Sequence, residues 1–333
     1  MIAPMPPSLP SFPHDRFWPL PQYGEKSATS RRVGLEIEFS GLTEAQTAKI
    51  VTGRFGGDIR TQSPYEVEIE NTEIGKVKIE LDSAYAKADR NAVLDAGLDL
   101  ARSVIPTEIV TQPLSQGQLG LMQSLCADLA KHGAQGSRTN LLRGFGMHIN
   151  PEIAGQDTES IVPVMRAYAL MEDWLREADP IDPSRRMMPF VDPYPSRLID
   201  ALARYGDLPK DEVFRIYLDL ADGRNHGLDV LPVIVETADA SLADRVRRNR
   251  QVKGRPAWHY RLPDCRIDEP DWSIAAEWNR WVLVERAACM PELVEELAEA
   301  WLKRRKELTS IRLEWWRAAD EVIRGYDLFR DKP

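Results

Sequence analysis

The segment VGLEIEFSG near the N-terminus alternates apolar and acidic side chains. Successive side chains of a β-strand point to opposite faces of its sheet, so Leu35, Ile37 and Phe39 share one face. Glu36 and Glu38 then lie together on the other face. This pattern predicts a strand that packs one face against a core and presents two neighbouring carboxylates on the other. Taken alone, it is also compatible with a solvated strand.

Three later segments place acceptor groups on further predicted strands. Glu80 lies in KVKIELDS, Glu108 lies in PTEIVTQPL, and His148 and Asn150 lie in LLRGFGMHINPE. A hard cation such as Mg²⁺ prefers oxygen ligands, and recurring acceptors on successive strands indicate one sheet face that holds such a cation. The predicted metal ligands are Glu36, Glu38, Glu80, Glu108 and His148.

Each of these later residues also has a purely structural interpretation. Glu80 could pair with Lys78 at the surface, where an ion pair has little energetic weight. His148 could be a satisfied structural histidine, although the two glycines before it and Asn150 on the same face favour a site. Glu108 stands beside an apolar run, where a charge is costly unless it is paired or bound to a metal.

Composition narrows the class of protein. A chain of 333 residues with 43% hydrophobic side chains can bury a large core. A net charge of −9 gives no general attraction to nucleic acid or to an anionic membrane. Three cysteines without a CxxC pair favour a reducing compartment. Because no membrane-spanning run or signal-peptide pattern occurs, we expect a soluble cytoplasmic protein.

Periodicity and turn residues predict a mixed order of strands and helices. Strands are predicted at 33–40, 65–70, 75–82, 106–111, 143–149 and 257–262. Helices are predicted at 43–54, 84–103, 115–132, 158–178, 196–205 and 211–221. The alternation in YEVEIEN, which carries Glu66, Glu68 and Glu70, predicts a solvent-facing hairpin strand.

Two terminal segments stand outside this pattern. Residues 1–30 are rich in proline, which predicts an extended arm lying on the domain or on a partner. Residues 289–333 predict a long C-terminal helix, with Trp301 and Trp315 on a seven-residue apolar repeat. That helix could pack along its own domain, or the repeat could be a dimerisation arm, so the oligomeric state stays open.

Basic residues are concentrated late in the chain. The stretch 244–264 includes Arg250 and Arg261, and GRNHGLDVLP adds Arg224 and Asn225. The acidic total disfavours a nucleic-acid patch, and arginines that project into a cleft and bind phosphates are the better interpretation. The chain has no phosphate loop, zinc helix, nucleophile elbow or dinucleotide fingerprint, so nucleotide binding would depend on metal ions and arginines.

The segments GLEIEF, IELDS, EIVTQPL, GMHIN and HYRLPD, in this order, resemble the amidoligase family. Its members are carboxylate–amine ligases related to glutamine synthetase and γ-glutamyl-cysteine synthetase. The similarity spans about residues 31–288. It implies an α+β fold in which a glutamine-synthetase-like antiparallel sheet curves into a funnel, surrounded by helices. Mg²⁺ and ATP would bind on the concave face.

The resemblance also implies roles for individual residues. The five predicted ligands would hold metal or metal–phosphate, with catalytic roles for Glu36, Glu80 and Arg261. Nucleotide-binding positions would be Arg261, Arg224, Asn225 and Arg250. Two positions depart from the family pattern, because Asp229 stands where Asn is expected and His259 stands where relatives tend to have Glu.

The expected activity is ATP- and Mg²⁺-dependent ligation of a carboxylate to an amine through an acyl phosphate. The expected partners are small-molecule or peptide substrates, with a partner ligase or a glutamine amidotransferase as a further possibility, and no nucleic acid or membrane. Two alternatives stay open. One is a metal-dependent phosphoesterase or nuclease, and the other is a catalytically inactive scaffold of the same fold.

Overall fold

A computed structural model describes residues 9–63, 65–81, 105–137, 144–187, 191–221, 223–250, 252–307 and 312–329. The helix predicted at 84–103 lies outside these residues. Within them, no helix combines the length and the apolar character that crossing a membrane would need.

A curved sheet of eight antiparallel strands forms the centre of the fold. The strands are β1 (Val33–Phe39), β2 (Asp58–Ser63), β3 (Glu66–Thr72), β4 (Gly75–Leu81), β5 (Thr107–Thr111), β6 (Met147–Pro151), β7 (Leu228–Asp229) and β8 (His259–Tyr260). Their order across the sheet is β2-β3-β4-β5-β1-β6-β8-β7. The α+β class and the antiparallel sheet are therefore confirmed. The sequence does not predict β2 and β7, because β2 is polar apart from Ile59 and almost entirely exposed, and β7 has only two residues.

The register gives the sheet one apolar face and one polar face. Ile37 lies opposite Ile109, which lies opposite Ile79 on the far side of β5, and Leu35 lies opposite Ile149 on β6. These side chains are almost completely buried. These side chains form one hydrophobic core with apolar residues of the helices, so the apolar face of the sheet is covered. The polar face is the one available for a site.

The helices surround this sheet. They are α1 (Glu44–Phe55), α2 (Leu119–Lys131), α3 (Thr158–Ala178), α4 (Pro183–Met187), α5 (Ser196–Arg204), α6 (Lys210–Leu220), α7 (Leu231–Thr237), α8 (Ala240–Arg250), α9 (Ile274–Ala288), α10 (Pro291–Glu307) and α11 (Arg312–Arg324). A capping box between Thr43 and Gln46 starts α1, and the carboxylate of Asp157 caps α3. α1 packs on β2, β3 and β4, whereas α3 packs against α5, α9, α10 and α11.

The C-terminal region corrects the prediction of one long helix. α10 and α11 are separate helices that pack against each other and against α3. Trp301 and Trp315 would be about 21 Å apart along one continuous helix, yet their ring centroids are 5.1 Å apart. Both tryptophans are fully buried, and Trp315 donates its indole N–H to the backbone oxygen of Leu170. The seven-residue repeat therefore arises from two helices in one core.

The described part of the N-terminal arm lies on the domain. Phe12, Trp18 and Leu20 are buried. The backbone N–H of Trp18 donates to Asn279 at 2.8 Å, and the indole of Trp278 donates to the backbone oxygen of Trp18 at 2.7 Å. The arm is thus held by α9 rather than extending away from the fold.

Candidate functional site

A row of glutamates crosses the polar face of the sheet. Glu38 on β1 lies opposite Glu108 on β5, and Glu108 lies opposite Glu80 on β4. Glu66 on β3 continues the row opposite Glu80. Directly opposite residues point to the same face of a sheet. Glu66 on β3 therefore points to the same face as the site, whereas the sequence predicts a solvent-facing hairpin strand there. Burial increases along the row from Glu66 and Glu80, which are half-buried, to Glu108 and Glu38, which are buried.

The Glu80 carboxylate pairs with a lysine and does not belong to the buried end of this row. Lys78 Nζ lies 2.7 Å from Glu80 and 3.0 Å from Glu66. Glu80 is next to Glu108 in register, but it is not part of the compact groups of potential ligands found among the described residues. The Lys78–Glu80 pair that the sequence offered as a structural interpretation is therefore present.

Glu38, Glu108 and His148 form a first compact group. One potential ligand atom from each lies within 4.8 Å of those from the other two. His148 Nε2 is 3.7 Å from Glu38 Oε1, and the backbone N–H of Gly146 donates to Glu38 Oε2 at 2.8 Å. Gly146 is required here because a Cβ atom would lie 2.5 Å from Nη2 of the buried Arg185. We call Glu38, Glu108 and His148 the carboxylate cluster.

Glu36, His148 and His259 form a second group with the same spread of ligand atoms. Glu36 Oε2 lies 2.8 Å from His148 Nδ1 and 3.8 Å from His259 Nε2. The side-chain amide of Asn150 donates to Glu36 Oε1 at 2.9 Å. We call Glu36, His148 and His259 the histidine cluster. His148 belongs to both clusters and lies between them.

Burial sets the charge states in the histidine cluster. It lowers the pKa of His148 to about 3 despite the nearby Glu36, and it also lowers the pKa of His259. Burial raises the pKa of Glu36, but the hydrogen bond from His148 and the nearby charge of Arg255 outweigh it, so that pKa lies well below its usual value. At neutral pH the cluster therefore contains an anionic carboxylate and two neutral imidazoles, which are the forms that bind metals.

Three arginines lie beside these clusters. Arg255 Nη1 is 3.7 Å from Glu36 Oε1, and Arg224 Nε is 3.9 Å from Asp229 Oδ2. Arg261 Nη1 donates to the backbone oxygen of Arg224 at 2.7 Å, while Arg261 Nε is buried and has no hydrogen-bond partner among the described residues. The predicted Arg224 and Arg261 are therefore brought together near the clusters.

The other two predicted nucleotide-binding residues are not brought to the clusters by any described contact. The backbone oxygen of Asn225 accepts a hydrogen bond from the backbone N–H of Asp192 at 2.6 Å. Arg250 is the last residue of α8, and its side chain lies outside the described part of the structure.

Asp229 and His259, the two departures from the family pattern, are adjacent in the structure. They are register partners on β7 and β8, and Asp229 Oδ2 is 3.5 Å from His259 Nδ1. Sequence reasoning gave neither residue a role. Each strand has only two residues, so no alternation in the sequence could reveal that they face each other.

The donor atoms fit a divalent cation. The two clusters offer carboxylate oxygens and imidazole nitrogens, which are common ligands of divalent metals. Several buried polar atoms nearby have no hydrogen-bond partner within the described ranges: Asn150 Oδ1, Asp229 Oδ2, and both ring nitrogens of His259. Since buried polar atoms are normally satisfied, these orphaned atoms fit a site that binds a ligand.

Fold and site together define a mixed α/β protein with a candidate metal-binding face on an antiparallel sheet. Residues 29–283 match the family model described as "Putative amidoligase enzyme". Because the match covers most of the chain, the protein belongs to this amidoligase family, and the family description supports ligase activity. The resemblance drawn from five short segments is thereby confirmed. No curated protein matches the chain.

Proposed function

We propose that this protein is an ATP- and Mg²⁺-dependent ligase that joins a carboxylate to an amine through an acyl phosphate. The observation that carries the proposal is the convergence of Glu36, Glu38, Glu108 and His148 on one sheet face of an amidoligase-family chain. The substrates would be small-molecule or peptide carboxylates and amines. A partner ligase or a glutamine amidotransferase could supply or consume them.

The chemistry of ligation explains why such a face is useful. A carboxylate is a poor electrophile, and transfer of the ATP γ-phosphoryl group converts it into an acyl phosphate that an amine can attack. Phosphoryl transfer depends on positioning and on neutralising charge, and it needs no covalent protein nucleophile. Bound divalent cations supply that neutralisation. The missing serine, cysteine or lysine nucleophile motif is therefore no objection.

The residues divide into two roles under this proposal. Glu36, Glu38, Glu108 and His148 would hold cations, and Glu80 would lie at the outer edge of that face with Lys78. Arg261 and Arg224 would bind phosphate oxygens, since a guanidinium matches phosphate geometry. The partly exposed Arg255 beside Glu36 is a further candidate for the same task.

The rival function is hydrolysis of a phosphoester by the same metal face. The net charge of −9 gives a nucleic-acid substrate no general attraction. A phosphoesterase would also release phosphate without an amine acceptor and without consuming ATP. The rival is thus separated from ligation by its products.

The experiment incubates purified protein with ATP, Mg²⁺ and pools of amino acids and short peptides, and follows ADP and condensed products by mass spectrometry. Hydroxylamine is added as an amine that captures an acyl phosphate as a hydroxamate. Glu38→Gln should abolish both signals, whereas Glu70→Gln, on β3 next to the edge strand of the same sheet, should retain them. Phosphate release from a phosphoester without ATP consumption would favour the rival.

A further inference from the structure

We propose that the histidine cluster is a site for a transition-metal dication rather than for Mg²⁺, with Asp229 as the residue that orients His259. The inference rests on the proposed function only in placing divalent cations on this sheet face. The two residues that depart from the family pattern, Asp229 and His259, would thereby set the metal preference of one part of that face.

The donor atoms of the two clusters differ in kind. The histidine cluster offers one carboxylate oxygen from Glu36 and two imidazole nitrogens from His148 and His259. Imidazole suits zinc, cobalt and iron, whereas Mg²⁺ demands oxygen ligands in an octahedron. The carboxylate cluster has two carboxylates from Glu38 and Glu108, which suits the harder ion.

His148 can serve only one cluster at a time. A neutral imidazole carries one lone pair, because its other ring nitrogen bears the proton. Nδ1 lies 2.8 Å from Glu36, whereas Nε2 lies 3.7 Å from Glu38. Without a metal, Nδ1–H of His148 donates to the Glu36 carboxylate. A cation held by both groups would take the place of that proton, and the ring would then carry its proton on Nε2, which faces Glu38. In that state His148 joins His259 in the histidine cluster. The carboxylate cluster is then left with oxygen donors.

The position of Asp229 completes the argument. Asp229 is fully buried, and its Oδ2 lies 3.5 Å from His259 Nδ1. Neither of these atoms has a hydrogen-bond partner among the described residues, and the other oxygen of Asp229 accepts from the backbone N–H of Leu231. A carboxylate behind a histidine ligand holds one tautomer and aims the other nitrogen at the metal. Here that nitrogen, Nε2, is the one nearest Glu36.

The test measures metal binding to the chelator-treated full chain without nucleotide. Calorimetric titrations with Co²⁺ and with Mg²⁺ give the two affinities, and the visible spectrum of bound Co²⁺ reports imidazole ligation. The wild type should bind Co²⁺ with such a spectrum. His259→Glu should lower Co²⁺ affinity at least about tenfold while Mg²⁺ affinity is kept or increased. Asp229→Asn should lower Co²⁺ affinity by about 10- to 100-fold.

His132→Glu is the matched control, because His132 is exposed at the end of α2 and should leave both affinities unchanged. His259→Gln removes the ligand without adding charge and replaces His259→Glu if that variant does not fold. Wild-type Co²⁺ affinity and spectrum in the folded His259 variant would overturn the inference. Intact Co²⁺ binding in a chain that forms no ligation product would instead reject only the proposed function.

Discussion

Loss of the buried ion pair between Arg31 and Glu285 should destabilise the whole fold. Arg31 Nη1 and Nη2 donate to the two carboxylate oxygens of Glu285 at 2.6 and 2.7 Å. Both side chains are completely excluded from solvent. Arg31 precedes β1 and Glu285 lies on α9, so the pair joins the central strand to the helical layer. The change to test is Arg31→Met, which keeps most of the side-chain volume and removes the charge.

The expected loss of folding stability depends on the hydrogen bonds that Glu285 would retain. Removing one partner of a buried pair costs about 3–5 kcal/mol, because the other charge stays buried. Glu285 would still accept hydrogen bonds from Tyr23 at 3.0 Å and from Trp281 at 2.8 Å. These two donors place the expected loss near the lower end, at about 3 kcal/mol. Adding Glu285→Gln removes the stranded charge and should restore about 1 kcal/mol or more.

Urea unfolding followed by tryptophan fluorescence measures these free energies. Arg215→Met is the matched control, since Arg215 pairs with Glu212 at 2.6 Å but both side chains are about half exposed. Its cost should stay below about 1 kcal/mol. A loss for Arg31→Met no larger than for Arg215→Met would refute the reasoning. Strict additivity of the two changes in the double variant would refute it as well.

Three further outcomes are expected. Mg²⁺ with ATP at about 100 times the dissociation constant should stabilise the wild type by roughly 2.7 kcal/mol, and Glu38→Gln should remove this gain in a thermal melt without unfolding the protein; an undiminished gain would contradict the site. Arg261→Lys keeps the charge but loses the planar fork, so steady-state kinetics should show turnover falling far more than ATP affinity, whereas near-normal turnover would make the residue structural. Burial raises the pKa of Glu277 to about 8 against the opposing charge of Arg280. The folded protein therefore holds a proton that the unfolded chain releases, so the free energy of unfolding should fall as pH rises from about 5 to about 8. Glu277→Gln should flatten this pH dependence in urea titrations. An unchanged pH dependence would mean that Glu277 is ionised in the folded protein.

Much of the sheet could be predicted from the sequence because alternation is a local property. Leu35 and Ile37 on one side of β1, and Glu36 and Glu38 on the other, are separated by strand geometry alone. Once β5 and β6 pair with β1, the register brings Glu108 and the histidine of β6 to the same face. The convergence of these residues therefore follows from short segments that each carry their own signal.

The rest depends on contacts between distant parts of the chain. His259 and Asp229 meet because two very short strands pair at the edge of the sheet, and two residues carry no periodicity. Trp301 and Trp315 follow a seven-residue repeat, yet they lie on two separate helices and their rings meet edge to face. A repeat in sequence shows which residues are buried. It does not show whether the helix that carries them is continuous.

The source of the oxygen in the released phosphate tests the central proposal most directly. Purified protein is incubated with ATP, Mg²⁺ and amines in two reactions, one with an ¹⁸O-labelled carboxylate pool and one with unlabelled carboxylates in ¹⁸O-labelled water. Ligation through an acyl phosphate transfers a carboxylate oxygen to phosphate, so mass spectrometry should find the label in phosphate only in the first reaction. Label entering phosphate from water, with none from the carboxylates, would identify a hydrolase and contradict the account.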